Sequence, residues 1–155
     1  MTDVYLFDWG DTLMVDFPGV AGKMCDWEVL EAVTGAAETL AHLSKSSPLY
    51  IATNAAESNE ADIEKAFKRV GLAGYLSGYF CKANLGLSKS DPGFYEAITN
   101  KLDVNPNQIT MVGDSLDKDI TPALRAGLNA RWFNPAGKPV EFKLAQIQHL
   151  SELCV

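Results

Sequence analysis

The sequence predicts an α/β domain in which a parallel sheet of about five strands lies between two layers of helices, as a three-layer sandwich. Two observations predict this class. Short apolar runs alternate along the chain with stretches whose apolar residues recur at helical spacing. The runs are apolar throughout, as expected for parallel strands that are covered by helices on both faces. The chain of 155 residues has the length of one domain, and we expect a single domain over residues 1–155.

Each predicted strand is a short apolar run that ends where polar or turn-forming residues begin. The runs cover residues 4–7, 49–52, 79–81, 109–112 and 130–133. The first ends at Asp8, the second at Thr53 and the fourth at Gly113. These residues mark the points at which the chain leaves the sheet.

Helices are predicted between the strands from their start signals, end signals and apolar spacing. The first runs from Thr34-Gly35 to Ser44, and the second runs from an N-cap at Ser58 to Val70. The third starts at an Asp91 N-cap with Pro92 in its first turn. The last contains Ile120, Ala123 and Leu124 and ends at Gly127. Residues 9–33 have a mixed pattern. The tail over residues 144–153 is amphipathic, and its pattern leaves helix and strand open.

The acidic composition restricts the partners that the protein can bind. Thirteen Lys and Arg residues against twenty Asp and Glu residues give a net charge of −7. We expect no nucleic-acid partner and no membrane partner, because both need clustered basic residues. No apolar run reaches the roughly 20 residues of a membrane helix, and the N-terminus lacks the pattern of a signal peptide. Three scattered cysteines favour neither a disulfide scaffold nor a zinc site, so we expect a cytoplasmic protein.

Polar side chains follow four of the predicted strands. Asp8 follows the first, Thr53 and Asn54 follow the second, Lys89 comes after the third, and Asp114 comes after the fourth. Ligands of open parallel sheets bind beyond the carboxyl ends of the strands, so we expect these side chains to converge. A carboxylate nucleophile, a second carboxylate for Mg²⁺, a hydroxyl and a lysine can together bind and transfer a phosphoryl group.

Four segments resemble the motifs of the haloacid dehalogenase (HAD) superfamily, most of whose members are phosphatases. The segments are LFDWGDTL at 6–13, LYIATN at 49–54, KSDPGFY at 89–95 and MVGDSLDKD at 111–119. They occur in the family's order, and the resemblance spans residues 4–133. It implies a Rossmann-like core of the HAD type and hydrolysis of a phosphomonoester that requires Mg²⁺.

The resemblance also implies a nucleophile and a metal site. Asp8 would attack phosphorus and form an aspartyl-phosphate. Asp8 and Asp114 would bind Mg²⁺ together with the backbone carbonyl of Gly10. Asp119 would support the metal directly or through a water molecule.

A second group of residues would bind the substrate. By the same resemblance, Thr53 and Lys89 would hold the phosphoryl group, and Lys89 would offset the charge of the crowded acids. Asn54 and Ser115 would be polar groups beside the substrate. We expect this substrate to be a phosphorylated small molecule or macromolecule.

The chain departs from the phosphatase pattern at one catalytic position. Phosphatases of the family usually carry an aspartate two residues after the nucleophile, which protonates the leaving group and then activates water. Here that position is Gly10, and the acid comes one residue later, at Asp11. Either Asp11 replaces the missing acid, or turnover is slow and the chain is a phospho-ligand binding module. Dehalogenases and phosphonate hydrolases of the family also lack this aspartate, and they remain a third reading.

The second departure is the absence of room for a cap domain. About twenty residues, 14–33, separate the first motif from the first helix. They are enough for a short flap and too few for the helical cap of many relatives. The site should then be open, and the substrate, a macromolecule or a neighbouring subunit should close it. Apolar residues of this flap, such as Phe17 and Trp27, are compatible with a homodimer.

Overall fold

The computed structural model describes residues 3–141 and 143–154. Its centre is a sheet of six parallel strands in the order β3-β2-β1-β4-β5-β6. The strands are β1 (Val4–Phe7), β2 (Leu49–Ala52), β3 (Gly78–Phe80), β4 (Ile109–Gly113), β5 (Asn129–Phe133) and β6 (Gln146–Ile147). The predicted parallel α/β sheet is confirmed. We expected about five strands and the sheet has six. The strand that was not predicted is β6, which comprises only two residues of the amphipathic tail.

Helices pack on both faces of this sheet, as predicted. They are α1 (Ala36–Leu43), α2 (Glu60–Arg69), α3 (Lys82–Leu85), α4 (Phe94–Leu102) and α5 (Thr121–Arg125). Alternation along β1 separates two parts of the core: Phe7 packs among buried residues of α1 and α2, whereas Leu6 packs with residues of α4 and α5. In the described ranges, no helix has both the length and the apolar character needed to cross a membrane.

Helix α2 begins one residue later than predicted, at an N-cap of Asn59 instead of Ser58. The Asn59 side chain accepts a hydrogen bond from the backbone N–H of Asp62 at 2.9 Å, and the Asp62 carboxylate accepts one from the backbone N–H of Asn59 at 3.1 Å. A cap at Ser58 would place Ala61 at the reciprocating position, where no acceptor exists. The reciprocal pair therefore decides the start of the helix.

The predicted start of α4 at Asp91 is also wrong. The Asp91 carboxylate accepts hydrogen bonds from the backbone N–H and the hydroxyl of Ser88, at 2.7 and 3.2 Å. Asp91 therefore closes the turn that follows Ser88, and the helix begins after Gly93. This turn contains Lys89, so its geometry determines where the lysine enters the site.

The segment at residues 14–33, called the flap below, is held against α2. Lys23 and Asp26 of the flap form ion pairs with Asp62 and Lys65 of α2, at 3.0 and 3.1 Å. The Arg69 guanidinium, at the end of α2, donates hydrogen bonds to the backbone carbonyls of residues 25, 27 and 28. The helical structure of this segment is limited to one 3₁₀ turn, Met24–Asp26.

Candidate active site

A cavity of 560 Å³ lies beyond the carboxyl ends of the central strands β1, β2 and β4. It brings together all the predicted site residues, which the sequence separates by more than one hundred positions. They are Asp8, Gly10, Asp11, Thr53, Asn54, Lys89, Asp114, Ser115 and Asp119. The parallel sheet explains this convergence, because its strands end on the same side. The roles that the resemblance implies for these residues remain predictions.

Lys89 lies between two carboxylates at the bottom of the site. Its Nζ donates hydrogen bonds to Asp8 Oδ1 at 2.6 Å and to Asp119 Oδ1 at 2.7 Å. The side chains of Lys89 and Asp119 are 2% and 1% exposed, and that of Asp8 is 14% exposed. Lys89 and Asp119 are therefore fixed, while Asp8 keeps access to the cavity.

The ion pair determines the charge state of the candidate nucleophile. Burial alone would raise the pKa of Asp8, but the Lys89 ammonium and several hydrogen bonds hold this pKa below its usual value. Burial would lower the pKa of Lys89, and the Asp8 and Asp119 carboxylates raise it above its usual value. These opposite shifts favour an ionised Asp8 beside a buried Lys89 cation, and an ionised carboxylate is able to act as a nucleophile.

The other two acids have the opposite shift. Burial first, then the hydrogen bond and charge of Asp8, raise the pKa of Asp114 to about 7. Burial and the Asp8 charge raise the pKa of Asp119 to about 6, although Lys89 opposes this increase. Both shifts reflect burial and, in addition, three carboxylates crowded into one site, where a further cation would be favourable.

The three carboxylates can hold a metal ion. Oxygen atoms of Asp8, Asp114 and Asp119 all lie within 4.8 Å of one another. Carboxylate oxygens are the ligands that Mg²⁺ prefers, and one or two of them with waters and phosphate oxygens complete its usual shell. The donor set therefore fits a hard divalent cation.

A glycine makes room for the Asp119 side chain. A Cβ added at Gly113 would overlap the Asp119 carboxylate and lie 2.6 Å from Asp119 Cβ. The backbone N–H of Ser115 donates to Asp119 Oδ2 at 3.1 Å, within the π-helical turn Leu116–Ile120 and its N-cap. Gly113, at the end of β4, thus fixes Asp119 by close packing. Asp114, the residue after Gly113, is only partly buried.

We expect Gly113→Ala to displace Asp119 and to break its contact with Lys89. The overlap should lower the free energy of unfolding by about 1–3 kcal/mol, as overpacking does in other cores. Thermal unfolding would measure this loss. Gly74→Ala is the matched control, because a Cβ at Gly74 meets no atom within 4 Å. Equal unfolding temperatures for the two variants would contradict this packing account.

Thr53, Asn54 and Ser115 line the cavity, and each already makes a hydrogen bond within the protein. Thr53 Oγ1 accepts from the backbone N–H of Ala55 at 3.1 Å, and this bond does not use the proton of the Thr53 hydroxyl. Asn54 Oδ1 accepts from the backbone N–H of Lys89 at 2.9 Å, so Asn54 positions the lysine. Ser115 Oγ accepts from the backbone N–H of Lys118 at 3.2 Å as an N-cap.

The turn after β1 contains the two positions that depart from the phosphatase pattern. Asp11 has a left-handed backbone with φ of 61°, and its Oδ1 accepts a hydrogen bond from the backbone N–H of Asp16 at 3.0 Å. A Cβ added at Gly10 would lie 3.3 Å from Asp16 Cβ and 3.4 Å from Asp16 Oδ2. Partial burial raises the pKa of Asp16, and the Asp11 and Asp8 carboxylates raise it further. Asp16 therefore lies over Gly10 at the edge of the cavity.

Three residues of the site were missed by the sequence reasoning. Thr12 is buried, and its hydroxyl donates to Asp8 Oδ2 at 3.1 Å and lies 3.4 Å from Asp114 Oδ1. Trp132 Nε1 donates to the backbone carbonyl of Asp114 at 3.0 Å. Asp16 is the third. Thr12 belongs to the first motif, and this position could have identified it as a site residue. Trp132 and Asp16 lie in none of the four motifs.

Comparison with known proteins identifies the family. Residues 11–127 match the family model of the haloacid dehalogenase-like hydrolases. This chain belongs to that family. The HAD resemblance of the four motifs is thereby confirmed, and the HAD-type core fold with it.

Curated HAD relatives include proteins of different activity. The chain is 31% identical over 134 residues to (S)-2-haloacid dehalogenase 4A of Burkholderia cepacia, covering 84% of this chain and 57% of that protein. It is 30% identical over 107 residues to the pyrimidine 5'-nucleotidase PynA of Streptococcus pneumoniae, covering 68% of this chain and 44% of that protein. The chain spans about half the length of the curated relatives that it matches.

Solved structures show the same HAD fold. An uncharacterized protein from Listeria monocytogenes serotype 4b superposes with a TM-score of 0.85 at 20% identity, covering 98% of this chain and 94% of that chain. The putative HAD-hydrolase YfnB from Bacillus subtilis, bound to magnesium, superposes with a TM-score of 0.79 at 18% identity, covering 98% and 96%. At these identities the likeness concerns the fold alone.

Proposed function

We propose that this HAD-like chain is a Mg²⁺-dependent phosphomonoesterase that works through an aspartyl-phosphate on Asp8. The observation that carries the proposal is the convergence of Asp8, Asp114 and Asp119 within 4.8 Å, with the Lys89 ammonium against two of them. Carboxylates gathered in this way repel one another unless cations accompany them. A metal ion and a phosphoryl group would complete the charge balance of the site.

The chemistry needs two displacements at phosphorus. Asp8 attacks first, and its oxygen–phosphorus bond forms as the bond from phosphorus to the leaving oxygen breaks. Attack of water on phosphorus then breaks the Asp8–phosphorus bond and releases inorganic phosphate. Lys89 and the Thr53 hydroxyl would hold the transferred oxygens, and the buried cation would stabilise their charge.

Asp8, Asp114 and the Gly10 carbonyl would hold Mg²⁺, with Asp119 in support. When bound, the ion would neutralise charge on the phosphoryl oxygens and orient them toward Asp8. The Thr12 hydroxyl, between Asp8 and Asp114, would keep the two carboxylates in register for this task. We further propose that the substrate is a phosphorylated small molecule or macromolecule that reaches the site from solvent in the cytoplasm, without nucleic-acid or membrane partners.

Binding of Mg²⁺ should weaken as the pH falls below neutrality. Mg²⁺ binds the ionised carboxylate, and the pKa of Asp114 in the metal-free protein is raised to about 7. Protons therefore compete with the metal at pH 6 and not at pH 8, which should change the dissociation constant roughly tenfold for one competing proton. Calorimetric titration with Mg²⁺ at both pH values measures the difference. Equal affinities would contradict the assigned role of Asp114.

A dehalogenase is the second candidate, since a 31% identical relative over 84% of this chain is a haloacid dehalogenase. In that reaction Asp8 would attack carbon and displace a halide. Displacement of halide from carbon involves no phosphoryl charge that a metal ion would neutralise. A dehalogenase would therefore not need the metal-binding cluster that Asp8, Asp114 and Asp119 form. We therefore favour the phosphatase. A binding module that holds phosphate without turnover is the remaining alternative, because Gly10 offers no acid or base.

One experiment separates these functions. The protein is incubated with Mg²⁺ and an aryl phosphate, whose leaving group needs little protonation, and in parallel with a short 2-haloacid. Release of phosphate that stops on chelation supports the proposed phosphatase. Halide release without phosphate release would overturn it in favour of the dehalogenase. If neither product appears, while Mg²⁺-dependent binding of inorganic phosphate does, the chain is a binding module.

A further inference from the structure

We propose that Asp16 is the general base that transfers the proton of the attacking water in this site. The proposal rests on the proposed function and deepens it, because it assigns a proton carrier to a site whose Gly10 has none. The juxtaposition that carries it is the Asp16 carboxylate lying over Gly10, two residues from Asp8, at the edge of the same cavity.

The absent side chain of Gly10 is what admits Asp16. An ideal Cβ at Gly10 would lie 3.3 Å from Asp16 Cβ, 3.4 Å from Oδ2 and 3.5 Å from Cγ. A Cβ contact of 3.3 Å is tight, so a side chain at Gly10 would require Asp16 to shift by a few tenths of an ångström. Asp16 therefore packs directly beside the position of a Gly10 side chain, and it is exposed to solvent water.

The turn after β1 fixes Asp16 in this place. The backbone N–H of Asp16 donates to Asp11 Oδ1 at 3.0 Å, and the backbone N–H of Asp11 donates to the Met14 carbonyl at 2.6 Å. One residue earlier, the backbone N–H of Val15 donates to the Glu31 carbonyl at 2.8 Å. Asp11 thus uses a carboxylate oxygen to hold the loop, which makes it a positioning residue for Asp16.

The other acids lining the cavity are already engaged. Asp8 is the nucleophile, Asp119 is paired with Lys89, and Asp114 lies beside Asp8 in the metal-binding cluster. Glu57 lines the cavity from the loop after β2, away from the turn that follows Asp8 in sequence, and it is exposed. Among the described residues, Asp16 is an acid beside the turn that follows Asp8, and none of these contacts engages its carboxylate.

The proton step balances over one cycle. Water attacks phosphorus, its oxygen–phosphorus bond forms, and the Asp8–phosphorus bond breaks with its electron pair returning to Asp8. The proton lost by that water passes to an oxygen of Asp16. In the next cycle Asp16 returns this proton to the leaving oxygen of the ester, and the alcohol is released. General acid–base catalysis of this kind contributes about 10²–10⁴-fold.

The test compares Asp16→Asn with Glu57→Gln, a matched control in the same cavity. With Mg²⁺ and an alkyl phosphate, we expect Asp16→Asn to lower kcat about 10²–10⁴-fold and Glu57→Gln to leave it unchanged. With an aryl phosphate, Asp16→Asn should release a burst of one phenolate per chain and then stall, with the chain phosphorylated in its intact mass. A merely structural residue would not make the covalent intermediate accumulate.

A second variant guards against a simple loss of folding. Gly10→Asp combined with Asp16→Ser returns a carboxylate to the turn, and it should recover alkyl phosphate turnover relative to Asp16→Ser alone. Steady turnover by Asp16→Asn at the parent's rate, without phosphorylated chain, would overturn the inference and leave the phosphatase standing. A parent that lacks Mg²⁺-dependent phosphate release would overturn the proposed function, and the inference with it.

Discussion

Asp8→Asn is expected to lower Mg²⁺-dependent release of phosphate from an aryl phosphate on the order of 10⁴-fold or more, as removal of a nucleophile does in other hydrolases. The amide keeps the size of the carboxylate but lacks its charge and nucleophilicity. The fold should tolerate the change, because Lys89 keeps its ion pair with Asp119 and the loss of one charge relieves the crowding of the three acids. Steady-state turnover of the parent and the variant measures the effect.

Asp117→Asn is the matched control for this loss. Asp117 belongs to the same fourth motif as Asp114 and Asp119, and it is exposed at the surface. Its amide variant should therefore turn over the ester at the parent's rate. If Asp8→Asn turned over the ester as fast as Asp117→Asn, Asp8 could not be the nucleophile.

Lys89→Met is expected to impair both stability and turnover. It leaves Asp8 and Asp119 buried together without the cation that pairs with each of them. Breaking such a pair in the metal-free protein should lower the free energy of unfolding by up to about 3–5 kcal/mol at neutral pH. Loss of the charge on the phosphoryl oxygens should lower turnover about 10²–10³-fold. Chemical unfolding without metal and kinetics with Mg²⁺ measure the two effects.

The loss of stability in Lys89→Met should shrink as the pH falls. In the parent, the pKa of Asp8 is held below its usual value of 3.8, so ionised Asp8 contributes stability above that pH. Without Lys89, burial raises this pKa instead, and protonation of Asp8 on going from pH 7 to pH 5 relieves the unpaired charge. Lys118→Met, an exposed lysine of the same cavity, is the control and should be nearly neutral at both pH values. A loss that grew toward pH 5 would contradict the ion-pair account.

The sequence predicted the part of this molecule that follows from regular structure. Continuous apolar runs and helical spacing predicted five of the six strands and their alternation with helices. Polar residues at the strand ends predicted the site, because a parallel sheet gathers its carboxyl ends on one side. Lys89 was predicted from its place after the third strand and from its motif, and the turn closed by Asp91 explains how it reaches Asp8.

Features that depend on one particular hydrogen bond or strand pairing were not predicted by apolar periodicity. The choice between Ser58 and Asn59 as a cap depended on the side chain of Asp62, three residues further on. The place of Asp16 depends on a left-handed turn at Asp11, in a stretch without helical or strand periodicity. Strand β6 depends on pairing with β5 and not on its own two residues.

The absence of an acid at Gly10 of the first motif affects how the neighbouring Asp16 packs. The Asp16 side chain lies against Gly10, where an added Cβ would be 3.4 Å from Asp16 Oδ2. Asp11, the acid next to Gly10 in sequence, uses its carboxylate to hold the Asp16 backbone. The two readings of this motif, a replaced acid or a disabled phosphatase, therefore depend on whether Asp16 transfers protons.

Identification of the phosphorylated residue during a single turnover tests the central claim most directly. The protein and Mg²⁺ are mixed with an aryl phosphate, the reaction is quenched in acid at successive times, and the peptides are mapped by mass. We predict that a phosphoryl group appears on Asp8 before inorganic phosphate is released and decays as phosphate forms. Phosphate formed in the first turnover with no phosphorylated Asp8 at any time, or with the phosphoryl group on another residue, would contradict the account.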